Sequence, residues 1–215
     1  MKEEILQTSL NQFLKYGIRE MSIQKLIEPL GISTKTVYKY FKNKEELLEE
    51  ALNLMYKQSF KEWEHLMATN NTVALFAGIW YATVEAEYNV NKLFYQDLHY
   101  YYPEVHEKNE ARLSKKYKKQ FIQIIQKGIE EGLFQDTIIP EVVFEGISIL
   151  FKAIAREGKF EAFRVSSFEL TFNTIIVYIR GCCTQKGIER LEEYLNTLHK
   201  SGKNTAKERT AIKRA

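Results

Sequence analysis

Apolar residues recur at helical spacing along almost the whole chain, and few residues interrupt them. The 215 residues include only 3 prolines and 10 glycines. Near the start, Leu6, Leu10 and Phe13 stand at i, i+4 and i+7, which places them on one face of a helix. Apolar residues make up 45% of the chain, enough for a substantial core. Together these features predict an all-α protein.

Two short helices are predicted before residue 42, joined by the sequence GIS. They cover residues 22–30 and 33–41, and a serine that can cap the first turn stands at the start of each. Asn43, with Glu46 three residues later, resembles a capping box and starts a long fourth helix. The order of two short helices around a tight turn indicates a helix-turn-helix motif.

Positive charge is concentrated in this motif. Residues 31–44 contain four lysines and no acid, whereas the net charge of the whole chain is only +3. Lysine can meet phosphate or guanine edges, and hydroxyl groups can donate to phosphate oxygens. A basic helix is more often merely a solvated surface, so charge alone favours DNA only weakly.

The sequence SIQKLIEPLGISTKTVYKYFKNKEELL at residues 22–48 resembles the DNA-binding domain of the TetR family of bacterial transcriptional regulators. The matching positions are Gly31, Ile32, Ser33, Thr36, Val37, Tyr38, Tyr40, Phe41, Lys44 and Leu47. Three positions depart from the family pattern. Ile27 replaces the usual alanine, Pro29 is expected to shorten or distort the second helix, and Lys35 adds charge where glycine is common.

The resemblance implies a set of DNA-binding residues. They are Ser22, Thr34, Lys35, Thr36, Tyr38, Lys39, Tyr40 and Lys44. Thr34, Lys35 and Lys39 would lie nearest the base edges, and the others would hold phosphates. Two alternatives stay open, since Tyr40 could be a packing residue and Ser22 could be only a helix cap.

Two later segments, 141–155 and 166–183, carry apolar stripes with the same spacing. The stripe residues taken as the dimer interface are Ile147, Leu150, Phe151, Ile154, Phe168, Phe172, Ile175, Ile176 and Ile179. Phe144 and Ile149 on the first segment, and Val177 and Tyr178 on the second, lie beyond the stripes, so these helices need more cover than one face provides. The resemblance implies a four-helix interface between two copies. The alternative is that both stripes bury within their own domain.

Residues 76–121 are rich in aromatic side chains. Most are expected in the core, but the resemblance implies a small-molecule pocket among these helices. The pocket candidates are Trp80, Phe94, Tyr95, His99, Tyr117 and Phe121. His99 could equally be a core or surface histidine. The histidines show no metal-ligand spacing, so we expect neither a metal nor a cofactor. Cys182 and Cys183 are interpreted as inert thiols rather than oxidant sensors.

Other classes of protein fit less well. No phosphate-binding glycine loop, nucleophile elbow or metal cluster indicates an enzyme. The N-terminus does not resemble a signal peptide and no apolar run is long enough for a membrane span, so a cytoplasmic protein is expected.

We therefore expect an N-terminal three-helix DNA-binding domain, a larger helical ligand-binding and dimerisation domain, and a tail. The boundaries are 1–48, 49–200 and 201–215, the last being basic and disordered. The expected function is a homodimeric transcriptional regulator, in the repressor sense, that binds a near-palindromic double-stranded operator. A small hydrophobic or aromatic effector would release it. The alternative is a helical small-molecule-binding protein without specific DNA binding.

Overall fold

A computed structural model describes residues 1–67 and 71–212 and, within them, all side chains except those at 62, 65, 110, 112–116 and 199–212. The helices are α1 (Lys2–Tyr16), α2 (Ile23–Ile27), α3 (Thr34–Val37), α4 (Lys44–Leu66), α5 (Thr72–Tyr88), α6 (Lys92–Tyr101), α7 (Pro103–Glu130), α8 (Pro140–Phe151), α9 (Ser167–Thr171), α10 (Val177–Cys182) and α11 (Gln185–Ile212). Short 3₁₀ segments cover Glu28–Leu30 and Glu161–Phe163, and π-helical segments cover Lys152–Arg156 and Phe172–Ile176. The all-α prediction is confirmed, and the described residues contain an isolated bridge between Phe134 and Cys183 but no strand. None of the described helices has the length and apolar character that a membrane crossing requires.

Local signals in the sequence set the helix-turn-helix. Ser22 Oγ accepts from the backbone N–H of Lys25, as expected of a cap. α2 is shorter than predicted and ends at Ile27, because Pro29 lacks an N–H and the chain tightens into a 3₁₀ turn. Gly31 then adopts φ 62°, a left-handed conformation that glycine tolerates best.

The third helix is also shorter than predicted. Ser33 caps it through the N–H of Thr36, but regular α-helix ends at Val37. Backbone hydrogen bonds continue to Phe41, including one from Tyr40 N–H to the Val37 carbonyl at 2.9 Å. Residues 33–41 therefore form one compact helical stretch, called here the reading segment, although only its first part is regular.

The side chains pack into two cores rather than one. The first lies among α1 to α4 and includes Phe13, Leu26, Val37 and Phe41, each at most 1% exposed. The second lies among α5 and α7 to α11 and includes Phe76. α4 joins the two, because its first half packs in the first core and Trp63 near its end packs in the second.

The first core extends beyond the predicted boundary at residue 48. It includes Leu52 of α4 and also Phe94 and Leu98 of α6. The start of α6 is fastened to the end of α1, since Asn91 N–H donates to the Leu14 carbonyl at 2.9 Å. The N-terminal domain is therefore completed by a helix that lies much later in the sequence.

The two apolar stripes on α8 to α10, which the sequence predicted as a dimer interface, face the core of their own subunit. Six of their nine residues are buried in their own subunit, namely Ile147, Phe151, Ile154, Ile175, Ile176 and Ile179. Leu150 and Phe172 are partly buried against the same core, and Phe168 contacts Tyr81 with ring centroids 6.0 Å apart. The longer stripe goes inward because burying it removes more apolar area from water.

The opposite faces of these helices are apolar and exposed. Val142 and Ile149 on α8 are 60% and 67% exposed, and Val177 on α10 is 55% exposed. We call these three side chains the outer stripe. Ile149 and Val177 are two of the four residues that the sequence placed beyond the main stripes. The other two, Phe144 and Tyr178, are partly buried against the second core.

The predicted tail, residues 201–215, overlaps the last helix, and its residues 213–215 lie outside the described residues. α11 runs through residues 201–212 instead of stopping near 200. No proline or glycine follows Gly202, and alanine, lysine, glutamate and arginine in this stretch favour helix.

Candidate DNA interface and ligand cavity

The reading segment divides its side chains cleanly between core and solvent. Val37 and Phe41 are 0% and 1% exposed, so they anchor the segment to the first core. The solvent face carries Thr34, Lys35, Tyr38, Lys39 and Tyr40. Tyr38 and Tyr40 are 54% and 39% exposed, so Tyr40 is not a core packing residue. Both hydroxyls and both ammonium groups can reach a ligand outside the protein.

The remaining hydroxyl groups of the motif have local partners. Thr36 is half-buried, and its Oγ1 shares a hydrogen bond of 3.1 Å with Ser33 Oγ. Ser22 Oγ accepts from the N–H of Lys25 at 3.3 Å, which leaves its own O–H able to donate. Ser22 is thus a helix cap that can also serve a phosphate, whereas Thr36 is held partly by the turn.

Lys44 is not directed freely into solvent. Its Nζ donates to the Ile18 carbonyl at 2.6 Å and lies 5.8 Å from the centre of the Tyr102 ring. Burial lowers the pKa of this ammonium, although the nearby carboxylate of Asp97 opposes the shift. Lys44 therefore links α4 to the α1–α2 loop, in addition to the phosphate role predicted from sequence.

Asp97 on α6 holds the same loop. One carboxylate oxygen accepts from the N–H groups of Ile18 at 2.7 Å and Arg19 at 2.8 Å. A Cβ at Gly17 (φ 83°) would lie 3.0 Å from that oxygen, so glycine permits the close approach. Arg19 also donates to the hydroxyl of Tyr101 at 2.8 Å. Sequence reasoning missed this contact, because only folding brings α6 to the loop.

The larger domain contains a cavity of about 210 Å³ between α4, α5, α7 and α8, called here the aromatic cavity. Three of the six predicted pocket residues line it: Trp80, Tyr117 and Phe121. Trp80 and Phe121 stack with ring centroids 4.8 Å apart. Sequence reasoning missed Trp63 and Phe144, which complete the aromatic wall.

The other three predicted pocket residues border a separate cavity of about 360 Å³ beside α6, called here the side cavity. These residues are Phe94, Tyr95 and His99. Phe94 is 0% exposed and belongs to the first core, while His99 is exposed and packs against Tyr100. The predicted set is therefore split between two places.

A buried ion pair separates the two cavities. Arg156 donates to Glu87 through Nε at 2.6 Å and Nη2 at 3.0 Å, and it borders both cavities. The Tyr95 hydroxyl also donates to Glu87, at 2.9 Å. Burial, followed by the charge of Glu87, raises the pKa of Tyr95 well above its usual range. No periodic signal could have revealed a pair formed between α5 and a residue 69 positions later.

The two cysteines are buried and unreactive by environment. Burial raises the pKa of the Cys183 thiol to about 12 and also raises that of Cys182. Thiols rather than thiolates therefore predominate at neutral pH, in agreement with the inert interpretation. Among the residues that the structure describes, no group of three or more histidine, cysteine or acidic side chains could hold a metal ion.

Comparison with known proteins agrees with this geometry. The fold and the motif define a helix-turn-helix regulator with a separate helical domain. The profile described as "Bacterial regulatory proteins, tetR family" matches residues 5–51, which include the whole reading segment. Residues 5–51 are therefore similar to the DNA-binding part of the TetR family of bacterial transcriptional regulators.

Relatives and solved structures extend the likeness over the second domain. The chain is 23% identical over 151 residues to the transcriptional repressor KstR2 of Mycolicibacterium smegmatis, covering 68% of this chain and 73% of that protein. The structure of the ketosteroid regulator KstR2 of Mycobacterium tuberculosis matches with a TM-score of 0.59 and 20% identity, over 86% of this chain and 95% of that one. FadR of Bacillus subtilis, solved with stearoyl-CoA, matches with a TM-score of 0.67 and 14% identity, over 84% and 99% of the two chains.

Proposed function

We propose that this protein is a homodimeric transcriptional repressor that binds a near-palindromic operator and is released by a small hydrophobic effector. The observation that carries the proposal is the exposed row of hydroxyl and lysine side chains on the reading segment, backed by Val37 and Phe41 in the core. A rigidly backed basic surface of this length suits the major groove. Acting on DNA would place the protein in the cytoplasm.

Contacts on the reading segment divide by chemistry. Thr34 and Lys35 lie in the first turn of α3 and Lys39 lies just after that helix, and these three side chains would meet base edges. Tyr38 and Tyr40 would donate to phosphates, which positions the segment without reading sequence. The N-terminal end of α4 adds the amide groups of a 23-residue helix, which favour an anion.

The outer stripe supports dimer formation. Val142, Ile149 and Val177 form an exposed apolar surface on two neighbouring helices. The same surface on a second copy would cover it around a twofold axis. Two reading segments would then meet half-sites about 34–36 Å apart, and this spacing accounts for a palindromic operator.

The aromatic cavity supports control by a small molecule. On α6, Tyr95 donates to Glu87 in the wall of the aromatic cavity and Asp97 holds the α1–α2 loop, so a shift of this helix acts on both places. A ligand changes DNA affinity only if it prefers one position of α6 over another. The repressor sense follows the KstR2 relatives, which are named as repressors. FadR was solved with stearoyl-CoA, a ligand that carries a long apolar acyl chain.

Fluorescence anisotropy with a duplex from upstream of the protein's own gene tests DNA recognition. We expect it to bind about a thousandfold tighter than a scrambled duplex of the same composition. The titration is repeated at two salt concentrations, with Lys127→Ala as control, because Lys127 is exposed near the end of α7 and pairs with Glu131. Equal binding to both duplexes refutes this operator, and selection from random duplexes then decides whether any sequence is preferred. No binding by folded protein favours a helical carrier of small molecules.

The dimer is tested by placing charge on the outer stripe. Ile149→Asp combined with Val177→Asp should convert dimer to monomer in sedimentation velocity, because two buried charges in each copy would be unpaired. Phe163→Asp is the matched control, since Phe163 is 68% exposed but lies outside α8 and α10. Dimers that persist in the double variant would exclude this face.

A further inference from the structure

The ion pair beside the aromatic cavity is unevenly satisfied. Glu87 accepts three hydrogen bonds, two from Arg156 and one from the Tyr95 hydroxyl. Arg156 uses only Nε and Nη2 for this pair, and within the described part of the chain its Nη1 donates to no protein atom. The carboxylate is thus well supplied with donors, whereas the guanidinium retains donors that lack an acceptor.

The spare donors of Arg156 are held in place. The guanidinium carbon lies 5.2 Å from the centre of the Phe151 ring and 5.1 Å from that of Tyr95, and the side chain is 18% exposed. A guanidinium fixed between two aromatic rings keeps its planar fork in one orientation. Such a fork matches the two oxygens of a carboxylate.

The rest of the aromatic cavity is suited to a compact apolar molecule that carries a hydrogen-bond acceptor. Its wall includes Trp63, Trp80, Phe121 and Phe144. The indole N–H of Trp80 is buried and has no hydrogen-bond partner among the described residues. The volume of about 210 Å³ lies below the roughly 300–1,000 Å³ typical of pockets for drug-sized ligands, which favours a compact ligand.

Building on the proposed function, we propose that the effector is a compact apolar carboxylic acid, bound as its carboxylate to the spare edge of Arg156. The carboxylate oxygens accept from Nη1 and the second Nη2 hydrogen, while the apolar body lies against the aromatic wall. A cationic ligand is disfavoured because Glu87, one of the two carboxylates that line the cavity, already accepts three hydrogen bonds. The other lining carboxylate, Glu145, is paired with Lys118.

Calorimetric titration with three matched bicyclic compounds tests the ligand class. The probes are 2-naphthoate, 2-naphthamide and 2-naphthylmethylammonium, which share the ring system and differ in charge. We expect the acid to bind at least about tenfold tighter than the amide, since hydrogen bonds to charged groups are the stronger ones. The cation should bind most weakly. Equal binding of acid and amide, or tighter binding of the cation, would overturn the proposal.

Paired variants identify the anchor. Glu87→Gln with Arg156→Gln removes both charges together, so neither is left buried alone, and it should bind acid and amide equally. Lys152→Gln is the control, because Lys152 is the other cation that lines both cavities. If the preference for the acid over the amide is lost in Lys152→Gln and kept in the double variant, the assignment of Arg156 as the anchor is overturned. Circular dichroism checks folding. Should the double variant not fold, Arg156→Lys decides, because it keeps the charge and loses the fork.

Operator anisotropy on the same samples separates this inference from the proposed function. Specific operator binding without any preference for the acid refutes the ligand class and leaves the regulator intact. The expected preference for the acid in a protein that binds no duplex supports the ligand class and refutes the regulator.

Discussion

The reading segment and the Arg156–Glu87 pair place charged side chains in opposite environments, one exposed to solvent and the other enclosed. The reading segment keeps its lysines exposed, where an unpaired charge costs little. The ion pair is enclosed, and each charge there needs a partner. Nine consecutive residues from 33 to 41 build the first, whereas the second joins α5, α6 and the π segment after α8. A site built from consecutive residues can therefore be predicted from the sequence, whereas an enclosed site built from distant residues cannot.

The two regions also differ in how closely they are packed. Phe41, behind the reading segment, is 1% exposed in a filled core, whereas Phe144 is half-buried and borders the aromatic cavity. We expect Phe41→Ala to lower the free energy of unfolding by about 3–5 kcal/mol, since it leaves a new void. Phe144→Ala should cost clearly less, because one side of its ring already faces empty space. Urea unfolding followed by circular dichroism measures both, and equal losses would contradict this difference in packing.

The contact between Asp97 and the α1–α2 loop connects α6, the helix that carries Tyr95, to the N-terminal core. Asp97→Ala removes the acceptor of two backbone donors, one of them on fully buried Ile18, and should cost about 2 kcal/mol. Asp136→Ala is the control, since Asp136 is exposed in the turn before α8. Hydrogen exchange at residues 18 and 19 should accelerate in the first variant alone. Unchanged exchange would mean that the loop does not depend on α6.

Lysines inside and beside the reading segment should affect DNA binding differently. Lys35→Ala should alter base preference, by about 1 kcal/mol or more at one position. Lys44→Ala should weaken all duplexes alike and lower the salt slope by about 1. Anisotropy with a set of single-position operator variants at two salt concentrations makes both measurements. If Lys44→Ala lowers the stability of the protein and leaves the salt slope of DNA binding unchanged, Lys44 has a purely structural role through its hydrogen bond to the Ile18 carbonyl.

The smallest effect is expected at the cysteines. With the pKa of Cys183 raised to about 12, thiolate is scarcer at pH 8 than in an exposed cysteine, and its fraction keeps growing as pH rises toward 12. An aromatic disulfide reagent should therefore react much faster with urea-unfolded protein than with native protein. Cys182→Ser should leave operator affinity unchanged. Rapid labelling of the cysteines in native protein at pH 8 would instead support the redox-sensor interpretation.

Much of the N-terminal region was predictable because its signals act over three or four residues. Ser22, Ser33 and Asn43 cap the helices as expected, and Pro29 shortens α2. The dimer stripe stays a prediction, because periodicity shows that a helix has two apolar faces and does not say which neighbour each will meet. Only the packed structure leaves Ile149 outside.

The sequence by itself determined the helices, their caps, and the basic face of the reading segment, since these depend on spacing and on backbone hydrogen bonds between near neighbours. Tertiary structure alone decided that α6 completes the first core, that Asp97 holds the α1–α2 loop, and that Arg156 meets Glu87 beside a cavity. Those contacts join residues about 70 to 80 positions apart. Their partners are selected by the burial of apolar surface and by the need of each enclosed charge for a counterpart, and neither leaves a periodic trace in the chain.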